Sequence, residues 1–292
     1  MHGTVYGSMT DRAPVIIIGA ARSGTKFLRD LFAASDEVAC IPYDVNYIWR
    51  DSNADHPDDE LHVDSLSNDI RLRIERNLRV LSNFQDGQIM VEKTVSNTLR
   101  VPFVAAVFPH AHFVHIVRDG CAVTESSMRQ WLKKPDIKNL LKKLSQLPYG
   151  SIGYVIWFAK NFLSGLYRGR GGGGVWGPRF KGINEAIRTK TLAEVCALQW
   201  STSVLAAQRD LEVLGNSGAS VSTIRYEDLV KNEIFIIRLL QKIGVNNQES
   251  VLARYRATCS PVTEYRWKLL PDEDQERILQ IVRTVPDLET RI

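Results

Sequence analysis

Pro14-Val-Ile-Ile-Ile18-Gly19-Ala20-Ala21-Arg22-Ser23-Gly24-Thr25-Lys26-Phe27-Leu28 reads as strand, glycine-bearing loop and helix in immediate succession. The apolar, β-branched run over 14–18 predicts a short buried strand that ends at Gly19. Residues 27–34 predict a helix. A glycine-rich turn leading into a helix N-terminus presents backbone N–H groups to an anion, and the helix dipole adds to the attraction. Thr25 offers a hydroxyl, and Arg22 and Lys26 offer positive charge. A tight turn with incidental basic residues is the plainer alternative. The coincidence of glycine, hydroxyl and cation at one helix start favours the anion site.

The same grammar repeats along the chain. Residues 89–91 predict a strand. Residues 101–108 predict a helix with Pro102 in its first turn and Pro109 as its stop. Residues 112–117 (HFVHIV) predict another strand, after which Asp119 is placed to cap a helix running to Trp131. A long helical pattern covers 192–214, with Gly215 as its stop. Residues 221–225 predict a strand, and Tyr226-Glu-Asp-Leu leads to a helix over 235–243. Strands alternating with helices imply an α/β fold with a mostly parallel central sheet and helices on both faces. Two segments break the rhythm: an acidic loop over 51–64, and 133–181, which reads as an insertion or lid on the substrate side of one domain spanning 1–292.

Composition narrows the classes. The chain has 292 residues, 44% hydrophobic and 24% charged, which suits a globular protein with an ordinary core. Lys and Arg number 37 against 33 Asp and Glu, a formal charge of +4. That balance fits a pocket for an anionic ligand and falls short of a nucleic-acid coat. The cysteines at 40, 121, 196 and 259 lack metal-ligand spacing and are too few for a disulfide scaffold, so reduced thiols in a cytoplasmic protein are expected. MHGTVYGSMTDRAP at the start has no apolar signal region, and no uninterrupted apolar run reaches spanning length.

The loop nearly matches a Walker A motif, but Thr25 stands where Lys belongs, and Lys26 is followed by Phe27 rather than a magnesium-binding hydroxyl. An ATP-dependent P-loop kinase is thereby disfavoured. Arg22-Ser-Gly-Thr after a first strand instead resembles the 5′-phosphosulfate loop of sulfotransferases that use 3′-phosphoadenosine 5′-phosphosulfate (PAPS). Three further stretches fit in order. Arg118 with Ser126 eight residues later resembles the family's 3′-phosphate motif. Val-Glu92-Lys93-Thr resembles the E-K-S/T-P segment of carbohydrate sulfotransferases, and Ile-Arg-Tyr226-Glu-Asp-Leu-Val resembles the adenine-side segment. The resemblance covers 14 to about 245 and implies the P-loop-like sulfotransferase fold, with PAPS as donor, PAP as product and no metal requirement.

It also implies roles. Ser23, Gly24, Thr25 and Lys26 would hold the 5′-phosphate, with Arg22 facing the bridging oxygen and Phe27 stacking on adenine. Arg118 and Ser126 would bind the 3′-phosphate, and Tyr226 the adenine edge. A sugar hydroxyl is a poor nucleophile near neutral pH, so a general base is expected. Asp44 in Ile41-Pro-Tyr-Asp lies where glycan sulfotransferases carry a carboxylate and is the first candidate, Glu92 the second and His115 the third. Lys93 would contact the transferring group. Glu227 and Asp228 read as caps of the next helix. Trp49, Arg50, Trp176 and Arg179 are candidates for acceptor binding: aromatic rings suit the apolar faces of sugars, and guanidinium groups suit acidic ones.

The implied acceptor is a carbohydrate hydroxyl, on a bacterial capsular or other surface polysaccharide. A small-molecule or lipid acceptor is the alternative, and the tract RGRGGGG makes a weaker case for a nucleotide- or RNA-binding module. The apolar piece 152–167, between Lys133, Lys134, Lys142 and Lys143 and the pair Arg168 and Arg170, suggests peripheral contact with an anionic membrane and access to a lipid-linked glycan; a buried helix with solvated basic ends is the alternative.

Overall fold

The computed structural model describes residues 12–133, 175–260 and 265–292. Five strands form one sheet in the order β2-β3-β1-β4-β5, every neighbouring pair parallel. They are β1 (Val15–Ile18), β2 (Val38–Cys40), β3 (Ile89–Glu92), β4 (His112–Val117) and β5 (Ser220–Arg225). Successive β1 side chains point to opposite faces, and each face has its own core. Val15 and Ile17 meet Leu28, Leu31 and Phe32 of α1 (Thr25–Phe32). Ile16 and Ile18 meet Trp49, Phe103 and Val104 on the other face. The two-sided burial explains why the first strand reads as an unbroken apolar run.

Between β2 and β3 lie α2 (Asn46–Trp49) and α3 (Asn68–Ser82). Then come α4 (Val101–Val107), α5 (Gly120–Trp131), α6 (Ile183–Thr189) and α7 (Leu192–Asn216). After β5 follow α8 (Tyr226–Lys231), α9 (Ile234–Ile243), α10 (Glu249–Thr258) and α11 (Asp272–Val282). Several boundaries carry the chemistry read from sequence. Asp119 caps α5 by accepting from the Ala122 N–H at 2.7 Å, and Pro102 sits in the first turn of α4. Thr191 and Glu194 form a reciprocal capping box on α7. The stop of α7 differs from the expectation at Gly215. The helix runs to Asn216, and the left-handed residue is Gly218 at φ 91°, with the Ala219 N–H closing on the Leu214 carbonyl at 3.0 Å.

Because β1 has β3 on one side and β4 on the other, while the chain moves first to one edge and then to the other, the sheet has its topological switch point at the end of β1. The loop 19–24, the turn after β2, the Glu92-Lys93-Thr94 segment, Arg118 and Tyr226 all follow the carboxyl ends of their strands. Among the described residues, no helix is long and apolar enough to cross a membrane. The apolar piece 152–167, its flanking basic residues other than Lys133, and the glycine–arginine tract lie outside the described residues, as does most of the 133–181 insertion.

Gly24 closes the first loop at φ 95°, and a Cβ there would lie 2.3 Å from the Tyr226 ring. Gly24→Ala combines left-handed strain with that clash and is expected to cost about 1–3 kcal/mol, read as a lower urea midpoint with an unchanged slope.

Candidate active site

The loop turns through two left-handed residues, Arg22 at φ 72° and Gly24 at φ 95°. The Ser23 N–H returns to the Ala20 carbonyl at 3.1 Å, and Gly24 becomes the N-cap of α1 with no side-chain cap. The first-turn N–H groups of α1 are therefore left for another acceptor. Ser23 Oγ is buried and, among the described residues, without a hydrogen-bond partner.

Arg22, Arg118, Ser126 and Tyr226 come together around this turn. Arg22 Nε donates to Ser126 Oγ at 2.9 Å. Arg118 donates to the Arg22 carbonyl at 3.3 Å and lies 4.5 Å over the Tyr226 ring, a cation–π contact. Phe27 meets Tyr226 edge to face, centroids 6.1 Å apart. Arg129, which sequence reading passed over, belongs to the same cluster: it pairs with Glu125 at 2.7 Å. Burial, then the positive charges of Arg129 and Arg118, push the Arg22 pKa below its ordinary value, with Glu125 opposing them. The available signal for Arg129 was its spacing, three residues beyond Ser126 on the same helix face. Crowded guanidinium groups and uncapped helix N–H groups suit a ligand carrying several negative charges.

Lys26 does not join them. Its side chain is 74% exposed and pairs with Asp30, one turn along α1. Asp30 is also held by Arg29, which reaches the Pro42 carbonyl. Thr25 is buried at the helix start.

Opposite the loop, Lys93 Nζ donates to Asp44 Oδ2 at 2.7 Å, and the Val95 N–H donates to Asp44 Oδ1 at 3.0 Å. The Lys93 side chain is 6% exposed and that of Asp44 is 43% exposed, so the carboxylate is the solvent-facing member. Glu92 is fully buried. Its Oε1 accepts from Trp49 Nε1 at 3.1 Å and from Thr94 Oγ1 at 2.5 Å, and its Oε2 accepts from Asn97 Nδ2 at 2.9 Å. Burial raises its pKa to about 7 against the lowering effect of the Thr94 and Trp49 hydrogen bonds. With both oxygens engaged beneath the surface, Glu92 cannot meet an acceptor hydroxyl, which corrects its place as second candidate base.

His115 is corrected too. It is 2% exposed in the middle of the sheet, and burial lowers its pKa to about 4. Trp49 and Arg50, read as acceptor contacts, belong to the interior. The Trp49 indole is spent on Glu92. Arg50 binds Asp59 at 3.0 Å and the carbonyls of Asp58 at 2.6 Å and Ala54 at 3.0 Å. The physical reason is the acidic loop 51–64, which folds back over α2 and supplies these acceptors. Asp59 also accepts from Asn46, Ser96 and the Arg179 N–H. Burial raises its pKa, but the Arg100 charge and these hydrogen bonds outweigh that and hold it below the usual range.

Trp176 lies beside the loop, lining a narrow cleft with Ala20, Ala21, Ser127 and Trp200. Its carbonyl accepts from Gln199 Nε2 at 2.7 Å. Arg179 is bonded through its backbone to Asp59 and through its guanidinium to Asn184. Glu227 accepts from the Asp119 N–H at 3.0 Å, and Asp228 accepts from Thr290, so both orient the backbone around Tyr226.

Residues 14–146 match the model of the sulfotransferase family. Over that segment the chain is similar to the sulfotransferase family. A crystallised sulfotransferase of Mycobacterium avium is 14% identical with a TM-score of 0.55, covering 97% of this chain and 79% of its own. It shares the P-loop-like sulfotransferase fold. A sulfotransferase domain of a Synechococcus olefin synthase is 15% identical at a TM-score of 0.49, covering 99% of this chain and 100% of its own. A mouse sulfotransferase solved with PAP is 13% identical at 0.48, covering 94% and 85%. No curated protein matches the chain by sequence. The loop, Arg118, Ser126 and Tyr226 form one cluster, and Asp44 with Lys93 forms another.

The buried histidines of β4 give the fold a pH signature. His112 and His115 both have pKa values lowered to about 4 by burial. The unfolded chain therefore binds more protons below about 6.5, and stability present above that pH is lost as pH falls toward 4. His115→Gln is expected to flatten the wild-type rise in unfolding free energy across this window by about 3 kcal/mol, measured by urea titration at successive pH values.

Proposed function

We propose that this protein transfers a sulfuryl group from PAPS to a hydroxyl of a carbohydrate acceptor. The observation that carries this reading is the half-exposed Asp44 carboxylate, fixed 2.7 Å from the buried Lys93 ammonium at the same sheet end as Arg22 and Arg118. A base, a cation for developing charge and an anion-binding loop are the parts that sulfuryl transfer requires.

The donor reading rests on the fit of the loop. The uncapped first turn of α1, Thr25 and the orphaned Ser23 hydroxyl suit a 5′-phosphate. Arg118 and Ser126 suit a 3′-phosphate, and Tyr226 with Phe27 offers aromatic surface to adenine. When bound, PAPS supplies an activated sulfuryl group on a phosphosulfate bridge. Asp44 would take the proton from the acceptor hydroxyl, Lys93 would stabilise negative charge on the transferring oxygens, and Arg22 would stabilise the oxygen left on the 5′-phosphate. A sulfuryl group carries less charge than a γ-phosphoryl, so protein cations can stabilise its passage. The position after Lys26 is Phe27, which lacks the hydroxyl a P-loop kinase uses to hold magnesium.

The carbohydrate assignment rests on the resemblance of the Glu92-Lys93-Thr94 segment to carbohydrate sulfotransferases, and the narrower one of a capsular or other surface polysaccharide on the resemblance of the Arg22-Ser-Gly-Thr25 loop and the Trp176-Gly-Pro-Arg179 segment to prokaryotic members of the family. Trp176 stands beside the loop, next to Ala20 and Ala21.

Calorimetric titration with PAP, ADP and ATP–Mg²⁺ tests the donor site. Micromolar binding of PAP alone, about −8 kcal/mol, is expected; preference for ATP–Mg²⁺ would overturn the reading in favour of a kinase. Arg22→Ala is expected to lower turnover at least 100-fold while PAP binding is retained. Asp44→Asn should also abolish most turnover with PAP affinity unchanged; full turnover in that variant would remove Asp44 as the base.

A further inference from the structure

We propose that Glu92 is a positioning residue that acts through the segment following Asp44 and sets where the Asp44 carboxylate stands. The proposal rests on the sulfotransferase reading of Asp44 given above. Glu92 is fully buried, yet none of its hydrogen bonds is spent on the sheet. All three go to groups that lead back to the chain just beyond Asp44.

The first path is the shortest. The Val45 N–H donates to Thr94 Oγ1 at 3.0 Å, and the Thr94 hydroxyl donates to Glu92 Oε1 at 2.5 Å. The residue next to Asp44 is thus tied to Glu92 through one hydroxyl, which accepts from the Val45 N–H and donates its own proton to the carboxylate oxygen. The second path runs through Trp49 at the end of α2, whose indole N–H donates to the same oxygen at 3.1 Å. The third runs through two amides and a guanidinium. Asn97 donates to Glu92 Oε2 at 2.9 Å, Arg100 Nε donates to Asn97 Oδ1 at 2.9 Å, and Arg100 Nη2 donates to Asn46 Oδ1 at 2.6 Å. Residues 45, 46 and 49 are held by one carboxylate.

The other end of the arrangement is covalent. Lys93, immediately after Glu92, grips Asp44 Oδ2, and the Val95 N–H grips Oδ1. The segment 92–95 therefore holds both the Asp44 carboxylate and the backbone that carries it. A chain of buried, charge-assisted hydrogen bonds is rigid because each broken link leaves a desolvated polar group. Burial of Arg100, whose pKa is lowered to about 10, and of Glu92 makes the network costly to assemble. Its geometric product is a fixed place for Asp44, and a misplacement of about 1 Å costs about 100-fold in rate.

The test uses Glu92→Gln, which keeps shape but replaces an acceptor by a donor. Thr94→Val is the second variant; it removes only the hydroxyl link and keeps the test decisive if Glu92→Gln fails to fold. Turnover is read as PAP release from PAPS with water as the acceptor, alongside KM for PAPS and calorimetric PAP affinity. Each variant is expected to lower kcat 10- to 100-fold, with KM and PAP affinity within about twofold. Placed on Asp44→Asn, either substitution is expected to add less than threefold, because a group that acts through Asp44 has nothing left to position. Full additivity on the Asp44→Asn background, unchanged kcat in both variants, or an equal loss of PAP affinity would each overturn the proposal. A wild-type protein that neither binds PAP nor consumes PAPS would instead overturn the sulfotransferase reading on which it stands.

Discussion

Gly24 turns the first strand into the first helix in a space that admits no side chain. Its left-handed backbone lies under the ring of Tyr226, so close that a Cβ would overlap it. Tyr226 in turn carries Arg118 on its face and Phe27 at its edge. Arg118 reaches the carbonyl of Arg22, and Arg22 reaches Ser126. The contacts of a β4 end, an α5 face and a β5 end all register against this single turn. If the turn were wider, the guanidinium groups would lose their common centre.

The site joins two electrostatic regimes. On the loop side, Arg22, Arg118 and Arg129 crowd together, and burial with mutual repulsion weakens the proton affinity of Arg22. That arrangement is poised for a multivalent anion. On the other side, charges are paired before any ligand arrives: Lys93 with Asp44, Arg50 with Asp59, and Arg100 within a chain of amides. One half is built to receive charge and the other to hold a carboxylate still. This division accounts for the buried polar network beneath Asp44, which a purely structural core would replace with apolar residues at little cost.

Much of this was legible in the residues. Strands β1, β3, β4 and β5 announce themselves as β-branched or apolar runs, and Asp119 marks the start of α5 by its capping chemistry. β2, three residues long, carries too little pattern to be read. Helix α3 follows the acidic loop and buries only Ile74 and Leu78 fully, so its apolar stripe is thin. Trp49 and Arg50 turn inward for different reasons. Glu92 at the end of β3 takes the Trp49 indole N–H, and the loop 51–64 supplies the acceptors that hold the Arg50 guanidinium.

Local sequence by itself determined the strand–loop–helix unit, the alternation that makes a parallel sheet, and the placing of glycine, hydroxyl and cation at the start of α1, because each depends on residues within a few positions of one another. Tertiary structure alone decided that Lys26 turns outward to Asp30, that Arg129 stands with Arg22, and that Glu92 is buried while Asp44 stays half exposed. Whether a carboxylate becomes a base or a buried anchor depends on how much solvent reaches it and which donors surround it. Both are set by segments that meet only when the sheet is assembled.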